Sequence, residues 1–203
     1  DKKSHRMGKC HVAIMMAGYI SVPLYATLTA PSIKQILEHS GTKAIIIGKL
    51  DNYKAQQEGI PGGILRIGME TYGINETYSW EKMIVSEKPL VDVADWDRDE
   101  LLTIMYTSGT TGKPKGVMHS AGNFDNVLNV ARMDLKIPTR PRLFSYLPLS
   151  HIAERMGIEM IGIYQGGFFS FAETLESFAA NLADTQPDLF FAVPRIWAKF
   201  REK

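Results

Sequence analysis

The sequence predicts an α/β fold with mostly parallel sheets and helices on both faces. Short apolar runs of strand length alternate with segments that carry helical periodicity, and the second half holds strand–helix–strand units in succession. No longer period recurs along the chain, which argues against a repeat architecture. Strands buried in a parallel sheet explain the continuous apolar runs.

The individual elements follow local signals. Residues 12–20 are predicted to be helical, 32–39 form an amphipathic helix closed by Gly41, and the β-branched run 44–47 is a buried strand. Further helices are predicted at 51–58, 80–86, 121–133, 152–164, 175–184 and from 194 to the end of the chain, and further strands at 63–67, 101–106, 143–147, 168–171 and 188–193. The acidic segment 92–100 is predicted to be a surface connection and a join between subdomains.

Composition limits the class of protein. Of 203 residues, 45% are hydrophobic and 22% charged, which is typical of a globular chain and excludes disorder as the main state. The net charge of +1 gives no electrostatic case for a nucleic-acid partner. Cys10 is the lone cysteine, so neither an internal disulfide nor a cysteine-based zinc site is predicted. The apolar stretches 12–25 and 156–171 are interrupted, so no transmembrane helix is predicted.

One segment carries the chemistry. The string Tyr-Thr-Ser-Gly-Thr-Thr-Gly-Lys-Pro-Lys-Gly at 106–116, called the signature segment below, follows a predicted strand, and a loop is predicted at 107–116. Glycines let a backbone approach phosphate oxygens closely, hydroxyls donate hydrogen bonds, and lysine supplies positive charge. The segment is not a Walker A loop, because Pro114 follows Gly112-Lys113. It suits a polyphosphate, although a Gly/Ser/Thr-rich stretch can also be a plain surface loop.

The signature segment resembles that of the AMP-forming, acyl-adenylating superfamily. A second block at 146–155, Tyr-Leu-Pro-Leu-Ser-His-Ile-Ala-Glu-Arg, resembles the next motif of that superfamily in the wording of its long-chain fatty acyl-CoA synthetases. Segments 17–25 and 193–197 are also similar to parts of these enzymes. The resemblance therefore covers most of the chain and implies the large N-terminal domain of an acyl-CoA synthetase-like fold.

The resemblance implies two half-reactions: a fatty acid and ATP give an acyl-adenylate and pyrophosphate, and coenzyme A then displaces AMP. ATP, Mg²⁺ and coenzyme A (as a substrate) are the implied cofactors. Carried over by position, the residues that hold the β- and γ-phosphates are Thr107, Ser108, Gly109, Thr110, Thr111, Gly112 and Lys115. Lys113 stands at the variable position of the signature, so it is ranked below Lys115 and a solvated side chain is favoured for it.

The second block supplies the other candidates. Lys115 of the signature segment and His151 of the second block are the residues assigned to catalysis, and the resemblance implies that the counterpart of His151 lines the site near the acyl carboxylate. Substrate positioning is expected of His151, since a carboxylate is already ionised at neutral pH and needs no general base. Glu154 and Arg155 share its helical face and form either a structural ion pair or part of the site. Ser120, next to His119, is expected to cap the following helix.

The apolar stretch 156–171 and the pair Phe190-Phe191 either wall an acyl tunnel or form ordinary core. The later Tyr-Gly-x-Thr-Glu block of the family, whose glutamate would hold Mg²⁺, is missing from 1–203, and so is the mobile C-terminal domain. The sequence is therefore expected to be an internal fragment of the N-terminal, AMP-binding domain, inactive by itself.

Alternatives stay open at this point. The complete protein is a long-chain fatty acid:CoA ligase, a fatty acyl-AMP ligase or another acyl-adenylating enzyme, or the chain is a truncated, non-catalytic phosphate-binding module. Small-molecule substrates and no nucleic acid are expected, in the cytoplasm. Peripheral contact with the inner face of a membrane and a homodimer also stay open.

Overall fold

The computed structural model describes residues 5–108, 114–174 and 176–201. The chain forms two compact units: unit one comprises Asp1–Phe124 with Pro148–Ser150, and unit two comprises Asp125–Leu147 with His151–Lys203. The join proposed near 92–100 stays a prediction.

Unit one contains a parallel three-stranded sheet in the order β1-β2-β3. Its elements are α1 (His5–Met16), α2 (Ala30–His39), β1 (Ala44–Ile47), α3 (Tyr53–Gln56), a 3₁₀ turn (Gln57–Gly59), β2 (Leu65–Gly68), a 3₁₀ turn (Glu70–Tyr72), β3 (Tyr78–Ser79), α4 (Trp80–Ser86), β4 (Leu101–Ser108) and β5 (Pro114–Ser120). The predicted helix at 80–86 and strand at 44–47 are confirmed, and Gly41 ends α2 in the left-handed conformation at φ 64°.

The core of unit one joins α2 to this sheet. Ile33 and Leu37 lie one helical turn apart, so they share the face of α2 that packs against Ile47, Ile60 and Ile74. All five side chains are less than a tenth exposed. Burial of apolar side chains of this size stabilises the unit by about 1.5–3 kcal/mol each.

A polar network links α1 to α4. Arg6 Nη1 lies 2.7 Å from Glu81 Oε1, Thr71 Oγ1 donates to the same oxygen at 2.6 Å, and the backbone N–H of Glu70 donates to Glu81 Oε2 at 2.9 Å. Burial opposes the ionisation of Glu81, but the hydrogen bonds from Thr71 and the backbone outweigh it and lower the pKa of Glu81 to about 2. The carboxylate is thus held in its charged form.

Strands β4 and β5 form an antiparallel pair, which the sequence analysis did not predict. Residues 114–120 were assigned to the loop and helix entry. This assignment was wrong, because they pair with 101–108 from Ser108↔Pro114 back to Leu101↔Ser120, with a register shift between Leu101 and Thr103. Lysine, glycine and histidine interrupt the apolar pattern of β5, which hides the strand. Thr103, fully buried in β4, donates to the Ser21 carbonyl at 2.7 Å.

Unit two contains a parallel pair, β6 and β7. Its elements are α5 (Ala121–Asp134, which begins in unit one), β6 (Arg142–Ser145), α6 (Ile152–Glu154), a π-helical segment (Arg155–Met160), α7 (Ile161–Tyr164), β7 (Phe168–Phe171), α8 (Phe178–Thr185) and α9 (Pro194–Arg201). The strand expected at 188–193 is reduced to a single bridge between Leu143 and Leu189. The α/β class with parallel sheets is confirmed. Among the described helices, not one combines the length and apolar character needed to cross a bilayer.

Candidate functional site

The end of the β4–β5 hairpin carries the signature segment. Thr107 lies directly opposite Lys115, and Ser108 lies opposite Pro114. Directly paired residues of antiparallel strands place their side chains on the same face, so the Thr107 hydroxyl and the Lys115 ammonium share one face at the mouth of the loop. Both residues are exposed. A neutral donor and a cation are thereby presented together to solvent.

The remaining phosphate-binding candidates lie outside the described residues. They are Gly109, Thr110, Thr111 and Gly112, together with Lys113. Their assignment therefore stays a prediction. Of the predicted loop 107–116, residues 107–108 belong to β4 and 114–116 belong to β5.

Tyr106 links β4 to α2. Its hydroxyl shares a hydrogen bond with His39 Nδ1, with an O···N distance of 2.6 Å, and the two rings meet edge to face. His39 is a residue that the sequence analysis missed. The two residues stand 67 positions apart, and neither local periodicity nor spacing links them.

His151 lies in unit two at the N-cap of α6. Its Nδ1 accepts a hydrogen bond from the Ala153 backbone N–H at 3.2 Å, which satisfies one of the free donors at the helix start. This bond leaves Nδ1 without its proton in the neutral ring, so Nε2 carries the proton and is the atom that can donate to a ligand. His151 thus has a structural role at this helix start, and its substrate-positioning role stays a prediction.

Glu154 and Arg155 each contact a neighbouring residue of unit two, and the ion-pair alternative stays a prediction. Glu154 Oε2 accepts from the Leu147 backbone N–H at 3.0 Å, and Arg155 Nε lies 4.0 Å from Glu159 Oε2. Both Glu154 and Arg155 are almost completely buried. Burial lowers the pKa of Arg155, while Glu159 opposes that shift. Glu154 therefore anchors the strand end that precedes His151.

The helix after β5 starts as predicted. Ser120 Oγ accepts from the Asn123 backbone N–H at 3.4 Å, and Asn123 Oδ1 accepts from the Ser120 backbone N–H at 3.0 Å. This reciprocal arrangement is a capping box with asparagine at its third helical position. His119 belongs to β5 and meets the Phe124 ring edge to face.

Aromatic rings form a cluster in unit two. Phe190 lies 5.5 to 6.4 Å, centroid to centroid, from rings on β6, α8 and α9. The cluster comprises Phe144, Tyr146, Phe178, Phe190, Trp197 and Phe200. Ile158 and Ile161, from the stretch 156–171, are buried core, whereas Phe191 is 43% exposed. The acyl-tunnel role of these residues stays a prediction.

Magnesium ligands are not assembled by the side chains described. Within 5–108, 114–174 and 176–201, no three carboxylate, histidine or cysteine side chains come together in a group that could hold a metal ion. Since Mg²⁺ is commonly bound through substrate phosphates, the ion is treated below as part of the MgATP substrate.

The β4–β5 pair presents the Thr107 hydroxyl and the Lys115 ammonium on an α/β scaffold with parallel sheets, as expected of a nucleotide-binding domain. The AMP-binding enzyme family matches residues 2–203, so the chain belongs to this family. The fold agrees. The o-succinylbenzoate CoA synthetase of Bacillus subtilis, solved with its acyl-adenylate intermediate, superposes with a TM-score of 0.77 at 20% identity, over 100% of this chain and 50% of that chain. A benzoate CoA ligase from Burkholderia xenovorans gives a TM-score of 0.79 at 21% identity, over 93% of this chain and 37% of that one.

The sequence relatives carry the names of long-chain acyl-CoA ligases and synthetases. The human long-chain-fatty-acid–CoA ligase ACSBG2 is 28% identical over 94% of this chain and 31% of its own length. The long chain acyl-CoA synthetase 4 of Arabidopsis thaliana is 30% identical over 88% of this chain and 30% of its own length. The chain thus spans about a third of the length of these curated relatives.

Proposed function

We propose that the complete protein is an AMP-forming acid–thiol ligase that activates a long-chain fatty acid with ATP and transfers the acyl group to coenzyme A. The single observation that carries the proposal is the shared face of Thr107 and Lys115 at the mouth of the signature loop. Family membership over 2–203 and the long-chain relatives support it.

The hairpin supplies the charge that the first half-reaction needs. A fatty acid carboxylate oxygen attacks the α-phosphorus of ATP, the bond from that phosphorus to the bridging oxygen breaks, and pyrophosphate leaves with the electron pair. Negative charge gathers on the leaving pyrophosphate, where the Lys115 ammonium and the Thr107 hydroxyl would stabilise it. Lys115 needs no proton transfer for this role, since a contact to phosphate uses its charged form.

His151 would position the acid. With Nδ1 held by the Ala153 N–H, the ring has its orientation fixed and can donate from Nε2 to a carboxylate or acyl-phosphate oxygen. The second half-reaction then proceeds by attack of the coenzyme A thiolate on the acyl carbon, with AMP as the leaving group. Thioester and AMP are the balanced products.

The test uses the complete protein with oleate, MgATP and coenzyme A. Stoichiometric release of AMP and pyrophosphate with formation of oleoyl-CoA is expected. Absence of both AMP and pyrophosphate would overturn the proposal and favour a non-catalytic phosphate-binding module. Adenylate formation without thioester would instead indicate a fatty acyl-AMP ligase, and faster turnover with acetate than with palmitate would exclude the long-chain assignment.

A further inference from the structure

The Tyr106 side chain links strand β4 of the signature hairpin to α2. Tyr106 is 5% exposed, and its hydroxyl reaches His39 Nδ1 at 2.6 Å. His39 stands in the last turn of α2, whose opposite face holds Ile33 and Leu37 in the core of unit one. The hydrogen bond therefore connects the hairpin to an element that is fixed by its own packing.

Gly116 makes room for the Tyr106 ring. The two residues are direct cross-strand partners, and a Cβ placed on Gly116 would lie 3.2 Å from Tyr106 Cζ and 2.8 Å from Ile104 Cγ2. These distances are shorter than ordinary carbon–carbon contact. The ring thus covers the glycine, in the manner of aromatic side chains that shield cross-strand glycines in sheets.

The geometry fixes the face on which the phosphate-binding side chains stand. Successive side chains of a strand point to opposite faces, so a Tyr106 ring held on the inner face turns Thr107 to the other face. Lys115 follows, because it is the partner of Thr107 and the neighbour of Gly116. Burial raises the pKa of the Tyr106 phenol and the Ser40 hydroxyl lowers it, with a net upward shift that keeps the phenol neutral and able to hydrogen-bond.

We propose that Tyr106 and His39 form a positioning pair that sets the orientation of Thr107 and Lys115 toward the polyphosphate of ATP. The inference rests on the proposed function, because it concerns the same nucleotide site. Neither residue contacts the reacting atoms in this scheme. Loss of their hydrogen bond raises the KM for MgATP about three- to tenfold, the range expected for one hydrogen bond, and leaves the KM for the fatty acid unchanged.

The experiment measures steady-state kinetics and thermal stability of the complete protein in six forms: the parent, Tyr106→Phe, His39→Ala, their double variant, Tyr53→Phe and His39→Gln. Tyr106→Phe keeps the ring that covers Gly116 and removes only the hydroxyl. Tyr53→Phe is the matched control, since it removes a comparable tyrosine hydroxyl, which donates to Glu76 elsewhere in unit one. His39→Gln restores a side chain that can hydrogen-bond and is the rescue variant.

The expected result is a raised KM for MgATP in both single variants, no further rise in the double variant, partial rescue by His39→Gln and no change in Tyr53→Phe. If the parent turns over normally and the KM for MgATP in Tyr106→Phe and in His39→Ala equals that of the parent, the positioning pair is refuted while the proposed function stands. The pair is also refuted if Tyr106→Phe and His39→Ala raise the KM for fatty acid as much as the KM for MgATP, or if Tyr53→Phe raises the KM for MgATP equally. Either result would give the hydrogen bond a general structural role. A parent without MgATP turnover refutes the proposed function itself.

Discussion

Two glycines of the helical segment that follows His151 are expected to respond oppositely to replacement by alanine. A Cβ on Gly162 would lie 2.3 Å from Phe169 Cζ and 2.5 Å from Leu143 Cδ1, which are side chains of β7 and β6. A Cβ on Gly157, in the π-helical segment, meets nothing within 4 Å. Replacement of glycine by alanine in a helix is intrinsically stabilising by about 1 kcal/mol, so the two positions separate propensity from packing.

The magnitude follows from the clash. Contacts of 2.3–2.5 Å lie about 1 Å inside ordinary van der Waals distance, and one of the groups, Leu143, is fully buried and cannot move aside. Overpacking of this severity costs about 3 kcal/mol, the upper end of the usual range, and exceeds the propensity gain. The free energy of unfolding of Gly162→Ala is therefore expected to fall by about 2 kcal/mol, whereas that of Gly157→Ala stays unchanged or rises by up to about 1 kcal/mol.

Thermal unfolding of the complete protein, followed by near-UV circular dichroism, measures the difference. For domains of this size, 1 kcal/mol shifts Tm by about 2–4 °C, so Gly162→Ala should melt about 4–8 °C below the parent. Gly157→Ala is the matched control in the same helix. Equal or higher stability of Gly162→Ala would refute the packing of α7 against β6 and β7 through this glycine.

Three other changes probe the site and its support. Lys115→Ala, at an exposed position, should leave Tm unchanged and weaken MgATP binding about 10- to 150-fold by calorimetry, since a charge-assisted phosphate contact contributes about 1.5–3 kcal/mol. Lys34→Ala is the control. An MgATP affinity of Lys115→Ala equal to that of the parent would contradict the assigned role. His151→Asn keeps a good N-cap residue, so Tm should hold while fatty-acid-dependent pyrophosphate release falls, whereas unchanged release would leave His151 a cap and nothing more. Glu81→Gln removes a carboxylate whose pKa is lowered from 4.5 to about 2, so its stabilisation is present above pH 4.5 and lost as the pH falls toward 2. On acidification, the free energy of unfolding in urea should therefore fall less in Glu81→Gln than in the parent or in Glu38→Gln. An equal fall in all three proteins would contradict the stabilising role of the Glu81 hydrogen bonds.

Local sequence signals predicted those elements in which neighbouring residues all favour the same secondary structure. The Ile run at 45–47 is both β-branched and continuous, and Gly41 marks the end of α2, so that helix and strand lie where expected. The Ser79 side chain caps α4 through the Lys82 N–H, which explains the match at 80–86. Agreement between propensity, capping and burial makes such segments predictable.

Long-range pairing explains what was missed. β5 forms because 114–120 finds a partner in 101–108, while its own alternation is broken by Lys115, Gly116 and His119. The hydrogen bond from Tyr106 to His39 joins elements that are remote in sequence. The cap formed by His151 was also beyond local rules, because histidine is not among the usual N-cap residues.

The candidate site itself was predicted from composition and motif only in part. Thr107 and Lys115 were named from the signature segment, but their shared face depends on the antiparallel register, which only the structure supplies. The roles of all the named residues remain predictions that binding and kinetics must test.

Fatty-acid-dependent exchange of labelled pyrophosphate into ATP tests the central claim most directly, because it reports acyl-adenylate formation without coenzyme A. With the complete protein, MgATP and palmitate, the account predicts exchange that requires the fatty acid and falls sharply in Lys115→Ala. Exchange that is absent with every acid tried, although MgATP binds, would contradict it and leave a domain that holds the nucleotide without activating an acid.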